Sequence, residues 1–362
     1  MTLRFDPRAG ALSLIEDAIG AKPGQTLAII AEDPGLGIYD AMVPEVIADV
    51  AGDLGIGVTI VPVGDHAGLD DIPAPVKAAL AECDHVFFHS RLGDTLRFSD
   101  IPGSASKTMS YALDLSILGG SACTIPHRVM EEIRTAFDAK ADTAETWHIT
   151  CANGTDISGT QDVAAVERGE VEDFTVTRYP VCAPRPLPCN TATGVVALSH
   201  WLMASGNRQY PDDTIMLTDI VMAHVENGRI MELDGPAHLT DAIRAQYTRV
   251  GALFDLDPWN VHSWHAGINP GAGYPVNGAR NIERWGKVAF ANPRYLHFHT
   301  CGNYAPGEIA WSLFDADVWF EDKQFWSKGE LVFLNTPEVI AILDHHGLGP
   351  LEFVRDIGID RH

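Results

Sequence analysis

Two histidine pairs hold the densest chemistry in this chain. They lie in Val261-His262-Ser263-Trp264-His265 and in His297-Phe298-His299, so that four of its fifteen histidines fall between positions 262 and 299. Tyr295 to Thr300 reads as a strand, and residues two apart on a strand point to one face. Two neutral imidazoles on one face begin a site for Fe, Zn, Mn or Cu, whose ions bind ring nitrogen well. The same pair would serve equally as a hydrogen-bonded polar face. Glu308 and the acidic stretch Phe314-Asp315-Ala316-Asp317, which reads as a hairpin, follow in the same segment, Asn260 to Asp322. Asp315 and Asp317 read as capping residues before ligands.

The elements that must position these groups fall into two halves. Thr26 to Ile30, Val58 to Val63 and His85 to Ser90 read as strands. Amphipathic patterns from Tyr39 to Leu54 and from Ala74 to Cys83 separate them. Strand, helix, strand, helix, strand at this spacing predicts a parallel sheet with helices on both faces. Ligands of open α/β sheets bind beyond the carboxyl ends of the strands. His89-Ser90-Arg91 stands at such an end, and His89, near-neutral in intrinsic pKa, is a candidate acid/base. It reads equally as the terminus of a buried strand. Gly35-Leu36-Gly37 follows a strand but lacks the third glycine and the later acidic residue of a dinucleotide loop.

A Ser/Gly-rich loop from Gly103 to Ser106, a helix from Pro126 to Lys140 and a strand from Thr146 to Thr150 come next. The first domain is expected to cover 1–145. The second, 146–362, is expected to be α+β with a mostly antiparallel sheet. Thr214 to Val225 and Arg229 to Leu233 are joined by Asn227-Gly228, a strong hairpin signal, and a helix from Ala237 to Val250 follows. Val318 to Phe320 and Glu330 to Leu334 read as strands around Lys328-Gly329.

At 362 residues and 46% hydrophobic, the composition is that of an ordinary globular protein with room for two cores. A formal charge of -24 argues against nucleic acid, because neutralising phosphates requires a basic face. No apolar run approaches the roughly 20 residues that span a bilayer. Met1 to Asp6 carries no apolar signal region, so a cytoplasmic protein is expected. Cys83, Cys123, Cys151, Cys182, Cys189 and Cys301 share no close ligand spacing and are expected to be reduced thiols. Cys182 and Cys189 flank a Pro-rich segment and read as loop or core thiols before a zinc pair.

Several of these signatures together resemble the aminopeptidase T/AmpS family of metallopeptidases. They are Thr150-Cys151-Ala152-Asn153-Gly154-Thr155-Asp156, the hairpin ending in Gly228-Arg229-Ile230, Gly267-Ile268-Asn269-Pro270-Gly271 and the closing segment Phe314 to Asp322. The resemblance covers roughly residues 100 to 340. It implies an N-terminal α/β domain, a C-terminal domain carrying the site, and a homodimer. A branch similar in fold, the 2,5-dihydroxypyridine dioxygenases, uses one Fe(II) held by two histidines and an aspartate to open a heteroaromatic ring.

The chain departs from that pattern at the ligands. Where the peptidases have Pro-x-Gly-Glu, it has Pro188-Cys189-Asn190-Thr191-Ala192-Thr193-Gly194, with no carboxylate. The family ligand seven residues before the Gly-x-Asn-Pro proline is replaced by Ser263, with His262 adjacent. The best match to the family's His-x-Asp is Glu308-Ile309-Ala310. A dinuclear centre is therefore not expected.

Two accounts remain. In one, a mononuclear site is rebuilt from His262 or His265 with His297, His299 and Glu308. In the other, the cleft works without metal. A one-residue offset turns a strand side chain to the other face unless a bulge corrects it, so His262 and His265 both stay open. The leading expectation is an Fe(II) ring-opening dioxygenase acting on a small hydroxylated N-heterocycle. His89 would act as acid/base, and Arg91 or Arg294 would hold a substrate anion through a bidentate fork. Trp264 and Trp311 would wall an aromatic pocket, unless they are plain core. A hydrolase of amides or cyclic amides is the second expectation, using a Zn- or Mn-bound water or a metal-free His/Glu pair with Glu308 as base. A non-catalytic binding protein on a decayed enzyme fold is the third.

Overall fold

The computed structural model describes residues 5–65, 72–96, 103–161, 163, 176–180, 183–204, 210–303 and 305–360. Five strands form a parallel sheet: β1 (Thr26–Glu32), β2 (Gly57–Val63), β3 (His85–His89), β4 (Ser106–Ser110) and β7 (Thr177–Tyr179), in the order β2-β1-β3-β4-β7. The side chains of β3 are buried on both faces, as expected of an inner strand covered by helices. Those helices include Met42–Asp53 and Ala74–Glu82. Gly35 and Leu36 lie in a 3-10 turn, Pro34–Leu36, capped by the Asp33 carboxylate.

The second sheet is antiparallel and begins at β5 (Thr146–Thr150) and β6 (Asp156–Thr160). It continues through β8 (Leu187–Pro188), β9 (Thr193–Ala204), β10 (Thr214–Glu226), β11 (Arg229–Asp234), β12 (Val261–Ala266), β13 (Tyr295–Cys301), β14 (Glu308–Phe314), β15 (Asp317–Phe320), β16 (Lys323–Ser327) and β17 (Glu330–Leu331). The order is β17-β16-β15-β5-β6-β9-β14-β13-β12-β8, with the β10/β11 hairpin laid on β9. The sheet-forming chain thus changes layer at 146, although β7 returns to the parallel sheet.

Three expected local features differ. The loop Gly103 to Ser106 leads directly into β4, which starts at Ser106. Only Glu330–Leu331 is strand, and Val332–Asn335 closes into a 3-10 turn. Phe314 to Asp317 is not a hairpin, because β14 pairs with β13 and β9 whereas β15 pairs with β5 and β16. Asp315 instead takes a left-handed turn (φ 53) that carries the chain between non-neighbouring strands.

The strands β12, β13 and β14 divide their side chains by strict alternation. Trp264, Phe298 and Trp311 enter one hydrophobic core, while Ser263, His265, His297, His299, Ala310 and Ser312 share the other face by register. Facing them is the helix Ile282–Ala289, whose N-terminus is capped by the Asn281 side chain accepting from the Arg284 N–H. The helix is fixed to the segment that follows β3 by a buried ion pair, Lys287 with Asp94, and a partly buried one, Arg91 with Glu283. The turn Gly267 to Gly271 after β12 must carry glycine first. A Cβ on Gly267 would lie 2.3 Å from the Asn292 carbonyl oxygen. No helix among the described residues is long and apolar enough to cross a membrane.

Candidate metal centre

The pairing of β12 with β13 settles which histidine of the first pair meets the second. Their register shifts between Val261 and Ser263, and beyond that bulge Ser263 stands opposite His299 and His265 opposite His297. His262 is left outside this register, where its Nε2–H donates to the Cys301 carbonyl oxygen at 2.7 Å. His265, His297 and His299 are each buried, and their ring nitrogens form a compact group of potential metal donors.

The three Nε2 atoms form a small triangle. His265 and His297 are 2.8 Å apart, His297 and His299 3.0 Å, and His265 and His299 3.1 Å. The far sides of two of the rings tell where their protons are. His265 Nδ1 lies 3.1 Å from the Pro184 carbonyl oxygen, and His299 Nδ1 lies 3.2 Å from that of Asn303. Ser263 Oγ is a further neighbour of His299 Nδ1, at 3.2 Å. A carbonyl oxygen can only accept, so both Nδ1 atoms carry hydrogen and donate. In neutral imidazoles, the Nε2 atoms of His265 and His299 then turn lone pairs toward each other inside a buried space. That contact is repulsive unless a cation, or a proton carried by the neighbouring His297 Nε2, lies between them.

The triangle fits a transition-metal ion. With nitrogen–metal bonds of about 2.1 Å, donors this far apart subtend roughly right angles at the ion, whereas a tetrahedral site would spread them to about 3.4 Å. Three mutually perpendicular donors occupy one face of an octahedron. The backbone carbonyls behind His265 and His299 are the partners that hold ligating imidazoles in one tautomer.

Around the triangle the walls are aromatic and one carboxylate is near. Phe290, at the end of the Ile282–Ala289 helix, packs against His265 and His297 with ring centroids at 5.2 and 4.9 Å. Tyr295 stacks on His297 at 5.3 Å, and burial pushes its hydroxyl well above the usual phenol range. Glu308 is buried on β14, with Oε1 3.9 Å from His299 Nε2.

The other residues singled out in the sequence occupy different surroundings. His89 is buried beside Tyr39 and donates from Nε2 to the Asp40 carbonyl oxygen at 3.1 Å. Burial lowers its pKa to about 3. Arg91 is gripped by Glu32 through Nε, at 3.0 and 3.1 Å, and also pairs with Asp65 and Glu283. Arg294 makes the bidentate fork expected of it, but to Asp315 at 2.6 and 2.7 Å, with Asp360 on the same guanidinium. Asp317 accepts from the Lys328 N–H, a turn contact.

Trp264 packs on Trp147 and Phe320, and the Trp311 indole N–H donates to the Tyr247 hydroxyl. Both tryptophans lie on the core face, opposite the triad. Cys83, Cys123, Cys151, Cys189 and Cys301 are free thiols, and Cys182 lies outside the described residues.

Sequence reasoning missed Pro184, Asn303 and Phe290. The first two act through backbone carbonyls, which every residue has, so residue type carries no signal there. Ser263 did stand out, at a position where the resembled family places a ligand, and it contacts the His299 ring instead.

No protein-family model matches the chain, and no curated protein matches it. Among the solved structures that match it, two share its fold over nearly the whole chain. The 2,5-dihydroxypyridine dioxygenase from Pseudomonas putida KT2440 aligns at a TM-score of 0.60 and 13% identity, over 92% of this chain and 98% of that one. AmpT from Thermus thermophilus aligns at 0.51 and 14%, over 90% and 98%. The likeness is one of fold, spanning both sheets, and the chain joins that fold to a buried triad of histidines.

Proposed function

We propose that His265, His297 and His299 hold one divalent transition-metal ion, Fe(II), and that the chain is a ring-opening dioxygenase of small hydroxylated N-heterocycles. The observation that carries the reading is the Nε2 triangle, with the Nδ1 protons of His265 and His299 committed to backbone carbonyls. Such an ion with open positions would bring a substrate hydroxyl and O₂ into contact. In the overall reaction one ring C–C bond breaks and both atoms of O₂ enter the product.

The chain's own residues then have separable tasks. Glu308 accepts the hydrogen of the substrate hydroxyl, so that an oxygen anion faces the triad. Ala310 and Ser312, opposite His299 and His297, are small enough to leave room above the strand. Phe290 and Tyr295 keep water from the rings. Fold likeness to a dioxygenase supports the reaction class by analogy alone.

A hydrolase is the second reading, favoured by the three neutral nitrogen donors, a set also used by zinc to activate water. The test is elemental analysis of protein purified without chelator, repeated after anaerobic Fe(II) reconstitution, with oxygen uptake on hydroxypyridines. One equivalent of iron and substrate-dependent uptake are expected. Tight zinc without uptake would transfer the assignment to hydrolysis, and no metal under either condition would remove it.

A further inference from the structure

The carbonyl that orients His265 lies in a segment whose three consecutive residues are each held by a different part of the molecule. The Ala183 carbonyl accepts from Arg178 Nη2 at 3.0 Å, and Arg178 stands on β7 of the parallel sheet. The Pro184 carbonyl accepts from His265 Nδ1 at 3.1 Å. The Arg185 guanidinium pairs with Asp142, and Arg185 also lies close enough to Asp138 to favour its carboxylate. Asp138 lies one turn before Asp142, on the helix His127–Ala141 that Asp142 caps.

We propose that the Asp142–Arg185 ion pair, with Asp138 beneath it, positions the His265 imidazole for metal by fixing the Pro184 carbonyl. Arg185 and Asp142 are positioning residues, and the inference rests on the metal reading of the triad. Three arguments support it. An imidazole between a carbonyl and a metal has its rotation set by that carbonyl. A carbonyl in a segment without secondary structure, such as 183–186, points wherever its neighbours hold it. And the Arg185–Asp142 contact joins two formal charges, one of them on the residue that caps a helix, so it ties the segment to a rigid element. Loosening it leaves both sheets and both cores intact but lets the Pro184 carbonyl swing, so the ring no longer presents Nε2 to the triangle in one pose.

The test is Co(II) affinity of the full chain, followed through the visible absorption of the ion, in wild type, Arg185→Gln, Arg185→Lys and Asp142→Asn. Arg128→Gln serves as control, since Arg128 lies on the same helix and its exposed guanidinium pairs instead with Asp17 of the Ser13–Ile19 helix. Loss of a direct outer-shell partner costs about 10–100-fold in metal affinity. One step further removed, Arg185→Gln and Asp142→Asn are expected to cost roughly 3–10-fold, Arg185→Lys less, and Arg128→Gln nothing. In a His265→Ala background the Arg185→Gln loss should vanish, because there is no ring left to orient.

Equal Co(II) affinity in wild type and in both Arg185→Gln and Asp142→Asn would overturn the strut while leaving the metal centre standing. An undiminished loss in the His265→Ala background would reduce the pair to a general structural role. Wild type that binds no Co(II) would instead bring down the metal reading itself. Should Asp142→Asn fail to fold, the Arg185→Gln and Arg185→Lys pair decides the matter.

Discussion

Replacing His299 by alanine removes one corner of the nitrogen triangle and leaves His265 and His297 2.8 Å apart as a two-donor remnant. Losing an outer-shell partner already costs 10–100-fold in metal affinity, so losing a donor costs more than about 100-fold, or about 2.7 kcal/mol. At a free metal concentration of about 100 times the wild-type Kd, binding stabilises the wild-type fold by about 2.7 kcal/mol. With an unfolding entropy of about 2.1 cal/mol/K per residue, a 362-residue chain that melts as one unit gains roughly 3–4 °C.

The variant at the same concentration is at most half occupied, and its gain falls to about 0.4 kcal/mol, under about 1 °C. Thermal unfolding with anaerobic Fe(II) or Co(II), and again with chelator, measures both shifts. The comparison within each protein cancels the cavity left by the missing ring. A metal-dependent shift in His299→Ala equal to that of wild type would refute the triad as the binding site.

Three further outcomes follow from the same geometry. Glu308→Gln is expected to keep one equivalent of metal yet lose about 10²–10⁴ in kcat/KM, the usual scale for a lost acid/base group; loss of the metal in elemental analysis would make Glu308 a ligand instead. Arg91→Ala leaves the Glu32 carboxylate buried with its main partner gone, which should lower unfolding stability in urea by about 3–5 kcal/mol; an unchanged urea midpoint with raised KM would return Arg91 to substrate binding. Burial raises Asp138 from an ordinary 3.8 to about 6, against the opposing pull of Arg134 and Arg185. The stabilisation from its protonated form is complete below about 3.8 and is lost as pH rises through about 6. Relative to Asp138→Asn, wild type should therefore lose at most about 3 kcal/mol between pH 4 and 7, and parallel urea midpoints across that range would show that Asp138 does not titrate there.

Much of this protein was legible from residue order alone, because local patterns report local structure. The parallel strands at Thr26, Val58 and His85, the Asn227-Gly228 hairpin and the helix from Ala237 follow from periodicity and turn chemistry, which act over a few residues. The His297/His299 pair was visible for the same reason, since a strand's pleat puts residues two apart on one face.

What tertiary structure alone decided was pairing and proton placement. Whether His262 or His265 faces that pair depends on the bulge after Val261, which is set by how β12 meets β13, strands separated by a helix and a long turn. The roles of Pro184 and Asn303 rest on carbonyl directions, and side-chain identity does not encode those. Arg91 and Arg294 have the residue type to bind an anionic substrate, yet folding brings Glu32, Asp315 and Asp360 to them first. A charge that must be buried is matched by whatever opposite charge packing delivers, and which one arrives is a property of the fold, not of the neighbouring sequence.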